Sequence, residues 1–312
     1  MAEVVRCRYV TGVLQEIEIE DLNEFVTPGS VLEQRLVRVN GRVYVRKFVS
    51  RTAGSANQRL YDLLYNEVRA GARLAQVFPG RYPAELAHLV AYNLDAEEPF
   101  VLLREYIGTP ASSKVHRFDD TQRRRFEHGL LRAVYLTSVA DVVHGAVSMD
   151  AVRCHDGQVQ LVDFEFAERV GESRRCGGIV DQRDDLWGAG QVIRRLHLGE
   201  TSSDRSQDPQ RLRTLLDPVF DNPVEQQPTA AQLLAVVRAD NHLPIVANPD
   251  AAFEQGRRLF DQVCLRKRGP VTGNAAPPPE QGKPAKRSFF RFMTRMVLLI
   301  NAVVAGVVVM FR

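Results

Sequence analysis

The chain has 312 residues, of which 45% are hydrophobic and 25% charged, a balance typical of a folded protein with a sizeable core. Its net charge of +3 is uneven: nine Lys and Arg residues and one acid from Leu265 onward give +8, which leaves −5 on the first 264 residues. A mildly acidic body argues against nucleic-acid binding, and the basic C-terminal part indicates a segment that meets a membrane.

The cysteines and the N-terminus favour a cytosolic domain. The four cysteines form no CxxC pair, which predicts reduced thiols and neither a zinc site nor a disulfide framework. They are Cys7, Cys154, Cys176 and Cys264. The opening residues Met-Ala-Glu-Val-Val-Arg lack the apolar core of a signal peptide, so we expect no secretory leader.

The N-terminal third reads mainly as strands. Residues 1–26 alternate apolar and acidic side chains and predict a strand or a short helix. Residues 31–49 predict a hairpin, because an alternating run leads into Asn40-Gly41, a pair that favours a type I′ turn. The returning strand of this hairpin carries Lys47.

Helices and strands alternate through the middle of the chain. Residues 55–76 place apolar side chains at helical spacing, with Glu67 beside that stripe. The remaining elements predicted up to residue 143 are strands over 86–94 and 100–106 and a long helix over 120–143 that is capped at Asp119 or Asp120.

The stretch from His144 to Glu165 is the centre of the interpretation. A tight loop leads into a hairpin that turns at Asp156-Gly157, and the second strand of the hairpin delivers Asp163. A helix is predicted near 185–193, followed by two or three more helices up to about residue 265.

The C-terminal part predicts a membrane anchor. Residues 266–288 are basic and rich in Pro, which favours a linker without a fixed fold. Met296–Phe311 is a run without a charge that, at 1.5 Å per helical residue, spans roughly 24 Å. With its basic flank it predicts a single-pass helix over 289–312 and a cytoplasmic N-terminal side; the alternative is a buried core helix.

Several short motifs follow one another in the order found in protein kinases. They are Lys47 in Val-Arg-Lys, Glu67 in Asn-Glu-Val-Arg, Leu102-Leu-Arg-Glu-Tyr106, His144, Asp163-Phe164, Asp185-Leu-Trp-Gly-Ala-Gly190 and Gln227-Pro-Thr-Ala-Ala-Gln-Leu-Leu234. On these motifs, residues 25–240 resemble the eukaryotic-like Ser/Thr protein kinases of bacteria. The resemblance implies an α+β, bilobal fold with a small antiparallel β-sheet in the N-lobe and a mostly helical C-lobe.

The resemblance and the composition together divide the chain into four parts. These are a kinase-like N-lobe over 1–110, a helical C-lobe over 111–265, a linker over 266–288 and a transmembrane anchor over 289–312.

The resemblance also implies roles for individual residues. The candidates for binding ATP are Lys47, Glu67, Glu105, Tyr106 and Asp163, and Asp163 is also the candidate ligand for Mg²⁺. His144 and Asp185 have structural roles by the same comparison. The plainer interpretations are that Lys47 and Glu67 are ordinary surface charges and that Asp163 caps the turn after it.

The residues that perform phosphotransfer in that family are absent from this chain. The catalytic base, the phosphate-steadying Lys, the second metal ligand and the last glycine of Asp-Phe-Gly are replaced by Ala146, Ser148, Ala151 and Glu165. These replacements imply a degenerate kinase, or pseudokinase. Asp150 is either a substitute base or a solvated cap, and Arg104 either fills the nucleotide pocket or points to solvent.

The leading functional hypothesis is a membrane-tethered pseudokinase that works as a binding or regulatory module and holds nucleotide without phosphotransfer. The first alternative is a divergent active protein kinase or another ATP-dependent phosphotransferase. The second is a structural subunit of a membrane assembly. The leading hypothesis implies a protein partner, which the sequence does not identify, and the membrane is expected to be met through the C-terminal helix.

Overall fold

The computed structural model of the protein describes residues 2–114, 117–174, 177–199 and 204–238. All of these residues belong to one compact unit, Met1–Lys267.

Six antiparallel strands in the N-terminal part close into a barrel. They are β1 (Ala2–Tyr9), β2 (Leu14–Glu24), β3 (Glu33–Val39), β4 (Arg42–Phe48), β5 (Leu89–Asn93) and β6 (Phe100–Arg104). The order around the barrel is β1-β2-β3-β4-β6-β5, and β5 pairs back with β1 through Arg8 opposite Tyr92. Closure pairs the strands that would otherwise be edges of an open sheet.

The closed barrel shows that the predicted bilobal, kinase-like fold is wrong. The error begins in residues 1–26, which are predicted as a strand or a short helix and which lie outside the motif matches. They form the β1–β2 hairpin, in which Val4 lies opposite Glu18 and Arg6 opposite Glu16. Period-two alternation specifies strands, but it does not specify whether the sheet closes.

The strands of the barrel present two apolar faces to two cores. On β4 the alternation turns Phe48 into the barrel, whereas Val45 packs in a second core against the helices. Lys47 shares the face of Val45 and therefore points away from the barrel interior. The interior is filled by Cys7, Ile17, Ile19, Val37, Val39, Phe48, Ala91, Phe100 and Leu102.

Six helices pack outside the barrel and along the rest of the described chain. They are α1 (Arg51–Ala56), α2 (Arg59–Val77), α3 (Asp120–Val139), α4 (Asp184–Leu198), α5 (Gln210–Phe220) and α6 (Ala230–Val236). Helix α3 is capped by Asp119, one of the two predicted caps, which forms a reciprocal capping box with Gln122. It ends four residues before the predicted end, and Asp141, with a φ of 53°, follows it.

Short strands form the remainder of the described sheet structure. They are β7 (Thr109–Pro110), β8 (Val142–Val143), β9 (Val152–His155), β10 (Gln158–Leu161) and β11 (Glu168–Arg169). The β9–β10 hairpin turns at Asp156–Gly157, where both φ angles are positive, as the sequence predicts. After β10 the chain passes through Asp163 into a 3-10 turn over Phe164–Phe166.

The predicted linker and the predicted transmembrane helix, residues 266–312, lie outside the described residues. Within residues 2–238, as far as they are described, no helix is long and apolar enough to cross a membrane.

Candidate functional site

Lys47 lies at the centre of a fully buried cluster of four charged side chains. Its Nζ atom is 2.7 Å from Asp163 Oδ1, 2.9 Å from Glu67 Oε2 and 3.0 Å from Glu165 Oε1. None of the four side chains is more than 1% exposed. Because an ammonium group has three N–H donors, the three carboxylates account for all of them. We call these four residues the Lys47 cluster.

Separate elements bring the members of the Lys47 cluster together. Strand β4 carries Lys47 on its helix-facing side, and the apolar face of α2 carries Glu67. Asp163 follows β10 in a left-handed conformation with a φ of 63°, and Glu165 lies in the next 3-10 turn. Asn66 ties that turn to α2, because its Nδ2 donates to the backbone oxygen of Glu165 at 2.9 Å.

The electrostatics of the Lys47 cluster are unbalanced, since one ammonium faces three carboxylates. Burial alone lowers the pKa of Lys47, but the charges of Asp163, Glu67 and Glu165 outweigh it and hold that pKa well above its usual value. Burial raises the pKa of Glu67 to about 7; the attraction of Lys47 opposes this shift, and repulsion from Glu165 and Asp163 adds to it. Glu67 therefore changes its charge near neutral pH.

Residues Thr27 to Val31, which we call the covering segment, close one side of the Lys47 cluster. Thr27 is fully buried, and its hydroxyl donates to Asp163 Oδ1 at 3.0 Å. The Val31 amide donates to Glu165 Oε2 at 2.8 Å, and the Ser30 hydroxyl also donates to Glu165. The covering segment thus gives its donors to two of the three carboxylates that Lys47 binds.

Two further contacts fix the covering segment. Gln34 on β3 donates from Nε2 to the Thr27 hydroxyl at 2.7 Å, which holds that hydroxyl for donation to Asp163. At Gly29, a Cβ atom would lie 3.1 Å from Asp163 Oδ2 and 3.2 Å from the Ala151 backbone nitrogen. This approach is tight for any side chain, so glycine suits the position. Among the described residues, Asp163 Oδ2 is buried without a hydrogen-bond partner.

His144 and Asp185 support the loop that precedes the β9–β10 hairpin. Asp185 accepts the backbone N–H groups of His144 at 2.6 Å and Gly145 at 2.9 Å. His144 Nε2 lies 2.7 Å from the Val162 carbonyl, and its ring meets Phe164 edge-on with centroids 4.7 Å apart. Burial raises the pKa of Asp185 and lowers that of His144. These contacts are structural and leave neither side chain at a surface.

The structure places one of the remaining predicted site residues, Tyr106, near the Lys47 cluster and the other, Glu105, outside it. Tyr106 is buried near the Lys47 cluster, and burial raises the pKa of its phenol. Its ring lies 6.0 Å from that of Phe25, and the Arg153 guanidinium lies over it at 5.7 Å. Glu105 is exposed and is not part of the cluster. Arg104 is also exposed, which favours the alternative in which it points to solvent.

The positions of the missing phosphotransfer residues form ordinary loop contacts. The Ala146 amide donates to His144 Nδ1 at 3.3 Å, and the Ser148 hydroxyl accepts the Ala151 amide at 3.3 Å. Asp150 is half-buried, and its backbone lies close to Gly29.

Sequence reasoning missed the roles of Glu165 and of the covering segment. Glu165 is predicted only as the replacement of a glycine, and no contact between residues 27–31 and this region is predicted. The available signal was the charge count: two acids at Asp163 and Glu165 follow one hydrophobic strand, and a buried pair of that kind needs a cation.

The arrangement does not fit the predicted Mg²⁺ ion. The Lys47 ammonium occupies the point on which the three carboxylates converge. Within the described ranges, no group of three or more His, Cys, Asp or Glu side chains is arranged to hold a metal.

The comparisons with known proteins assign no family. No protein-family model matches the chain, and no curated protein matches it significantly. The kinase resemblance therefore has no support from these comparisons and is contradicted by the closed barrel. The fold and site define a six-stranded antiparallel barrel with packed helices and a buried lysine–carboxylate cluster between α2 and the β9–β10 hairpin.

Proposed function

We propose that this protein is a non-catalytic binding module whose interior is locked by the Lys47 cluster. The observation that carries the proposal is that the Lys47 ammonium is fully buried and that carboxylates take all three of its donors. A lysine in this state has no donor left for a phosphate or another anionic substrate.

The charge of the cluster supports the same proposal. An anion that entered beside Lys47 would meet the carboxylates of Glu67, Asp163 and Glu165 in a water-poor interior, where repulsion between like charges is strong. The covering segment also stands over Asp163 and Glu165. An anionic ligand would have to displace this segment and at least one carboxylate before it reached Lys47.

A nucleotide-binding role is the competing proposal. It is favoured by the convergence of Lys47, Glu67, Asp163 and the nearby Tyr106 on one region. It requires a second conformation in which the covering segment has moved and Lys47 has exchanged a carboxylate for a phosphate. Phosphotransfer requires in addition a base, for which Asp150 is the nearest spare carboxylate.

A thermal-shift titration of the full chain with ATP, with and without Mg²⁺, separates the two proposals. A ligand that binds only the folded state raises its stability by RT ln(1 + [L]/Kd). We expect no dose-dependent rise in Tm. A rise that disappears in Lys47→Met, but persists in the matched surface variant Lys114→Met, would overturn the locked-interior proposal in favour of nucleotide binding. Release of phosphate from ATP that depends on Lys47 would establish an enzyme.

A further inference from the structure

The side-chain and amide contacts of the covering segment with the Lys47 cluster all end on carboxylate oxygens. Thr27 donates to Asp163, and both Ser30 and Val31 donate to Glu165. These contacts are charge-assisted, so their strength depends on the charge state of the cluster. The hydrogen bonds that hold the segment closed therefore depend on the charge of the whole cluster, including the charge of Glu67.

Glu67 is the carboxyl group of the cluster for which the structure shows no bond to the covering segment. It faces Lys47 from β4, Asp163 and Glu165 from the end of the β9–β10 hairpin, and the phenols of Tyr82 and Tyr106. Lys47 is thus the one cation in this set of described groups. Ionised Glu67 competes for Lys47 with the two carboxylates that hold the covering segment.

We propose that the Thr27–Val31 covering segment is a pH-dependent latch, closed over the Lys47 cluster when Glu67 is protonated and loosened when Glu67 is ionised. Protonated Glu67 leaves one ammonium between two carboxylates, and both of these also accept donors from the segment. Ionised Glu67 adds a third negative charge to a buried site, and movement of Asp163 and Glu165 relieves the repulsion. That movement breaks the bonds from Thr27, Ser30 and Val31.

Two observations besides this geometry support the latch. The pKa of Glu67 is raised to about 7 by burial and by its carboxylate neighbours, so the change in charge falls near neutral pH. The closed state also leaves Asp163 Oδ2 buried without a hydrogen-bond partner among the described residues, a cost that opening would remove by hydration.

Opening would expose the Lys47 cluster to solvent from the side of Gly29. The latch would therefore control access to the most polar part of the interior. The inference does not depend on the proposed binding function, because it concerns the free protein and is tested without any partner.

The direct test is the hydrogen-exchange protection of the Val31 amide in the full chain, measured between pH 6 and pH 8 and corrected for the intrinsic effect of pH on exchange. If opening lowers the pKa of Glu67 by one unit, ionisation of Glu67 makes the opening equilibrium up to tenfold more favourable. We expect protection of Val31 to fall by about tenfold across pH 7. Unchanged protection between pH 6 and pH 8 would overturn the proposal.

Variants assign the effect to Glu67. Glu67→Gln has nearly the same size and no charge, so Val31 protection should stay high and independent of pH. The matched control is Glu85→Gln, which removes a carboxylate that pairs with Arg132 at 2.8 Å and has no bond to the covering segment. This control should keep the wild-type pH dependence. Wild-type pH dependence in Glu67→Gln would contradict the proposal.

A second variant keeps the test open if Glu67→Gln does not fold. Thr27→Val removes the hydroxyl that donates to Asp163 Oδ1 and should loosen the segment. We expect low protection of Val31 at pH 6 as well as pH 8, with unchanged protection of the Val159 amide in the β9–β10 hairpin. Protection of Val31 in Thr27→Val equal to that of the wild type at pH 6 would overturn the latch.

Discussion

Lys47 Nζ and Asp163 Oδ1 lie 2.7 Å apart, although 116 positions separate the two residues in the chain. Lys47 belongs to a barrel strand, and Asp163 follows the β9–β10 hairpin, so this contact joins the barrel to the part of the chain that follows α3. Both side chains are buried, so neither can regain hydration if the other is removed. The pair is therefore a constraint on the fold as well as the centre of the candidate site.

Replacement of Lys47 should destabilise the fold strongly. Lys47→Met removes the cation and leaves three buried carboxylates unpaired, a change that typically costs about 3–5 kcal/mol when one partner of a buried pair is lost. The free energy of unfolding from urea denaturation at pH 7 measures the loss. The loss should be smaller at pH 5, because Glu67, with a pKa of about 7, is then protonated and needs no cation.

The matched control for this variant is Lys114→Met at a half-exposed position. A change within about 0.5 kcal/mol is expected there. A loss in Lys47→Met as small as that in the control would show that the cluster is not buried and paired as described.

Replacement of Glu67 should change how stability depends on pH. The pKa of Glu67 is about 7 in the folded state and 4.5 in the absence of its neighbours. Between these values the folded state binds more protons than the unfolded state, so stability falls as pH rises through this window. The linked free energy is about 3 kcal/mol at most.

Glu67→Gln should therefore be more stable than the wild type at pH 8 and closer to it at pH 5. Urea midpoints at the two pH values measure this difference, and Glu85→Gln is the control with the same chemical change elsewhere. If Glu67→Gln lowers the free energy of unfolding by the same amount at both pH values, Glu67 contributes a hydrogen bond but its ionisation does not affect stability.

The sequence identifies the core of the site because local patterns determine it. Alternation around Asn40-Gly41 places Lys47 on a strand, helical spacing places Glu67 beside an apolar stripe, and Asp156-Gly157 fixes the hairpin that ends at Asp163. The structure brings these three residues together. Their joint burial follows from the packing of α2 against β5, β6 and the 3-10 turn after Asp163, and it is not visible in any one segment.

The closed barrel and the covering segment depend on contacts that the sequence pattern does not specify. Closure needs β1 to pair with β5, and the alternation in residues 1–26 carries no information about that partner. The covering segment binds Glu165 across 134 positions at Val31 and 135 at Ser30, and its sequence shows only a turn-forming Pro-Gly. Kinase-like motifs then suggested a familiar topology that the full set of strands excludes.

Glu127 should show a pH dependence of opposite sign to that of Glu67. Burial of this α3 carboxylate works against its charge, but hydrogen bonds from His197 at 2.9 Å and Arg211 at 2.5 Å outweigh burial and hold its pKa below the usual value. Its contribution to stability is present above the unfolded-state pKa and is lost as pH falls through the folded-state pKa.

Glu127→Gln should cost about 1.5–3 kcal/mol at pH 7, the range for hydrogen bonds to a charged group, and less in acid. Urea denaturation at pH 7 and pH 4 measures the change. The exposed variant Glu18→Gln is the control and should be nearly neutral. A constant cost at both pH values would indicate lost packing without lost charge.

Gly145 should tolerate no side chain. Its φ is +75°, and a Cβ atom would lie 2.5 Å from the backbone oxygen of Phe166. Gly12 has a similar φ of +88° with no atom within 4 Å of the same position, so Gly12→Ala measures the cost of the conformation alone, roughly 1–2 kcal/mol. Gly145→Ala should cost about 1–3 kcal/mol more, because the backbone near Phe166 must move. Equal Tm values for the two variants would contradict the close approach of Gly145 to the backbone of Phe166.

Trp187 should report the structure of α4 by its fluorescence. It is the chain's one tryptophan, its side chain is 56% exposed, and its ring meets Phe220 edge-on with centroids 6.3 Å apart. An indole in this position is in contact with water, so the folded protein should show red-shifted emission that both acrylamide and iodide quench. Trp187→Phe should change the free energy of unfolding by about 0.5 kcal/mol or less, since exposed positions contribute little. Blue-shifted emission that iodide does not quench would show that another surface covers this end of α4 in solution. Dilution would then distinguish the two possible causes. Self-association is reversed by dilution, whereas burial within one chain is not.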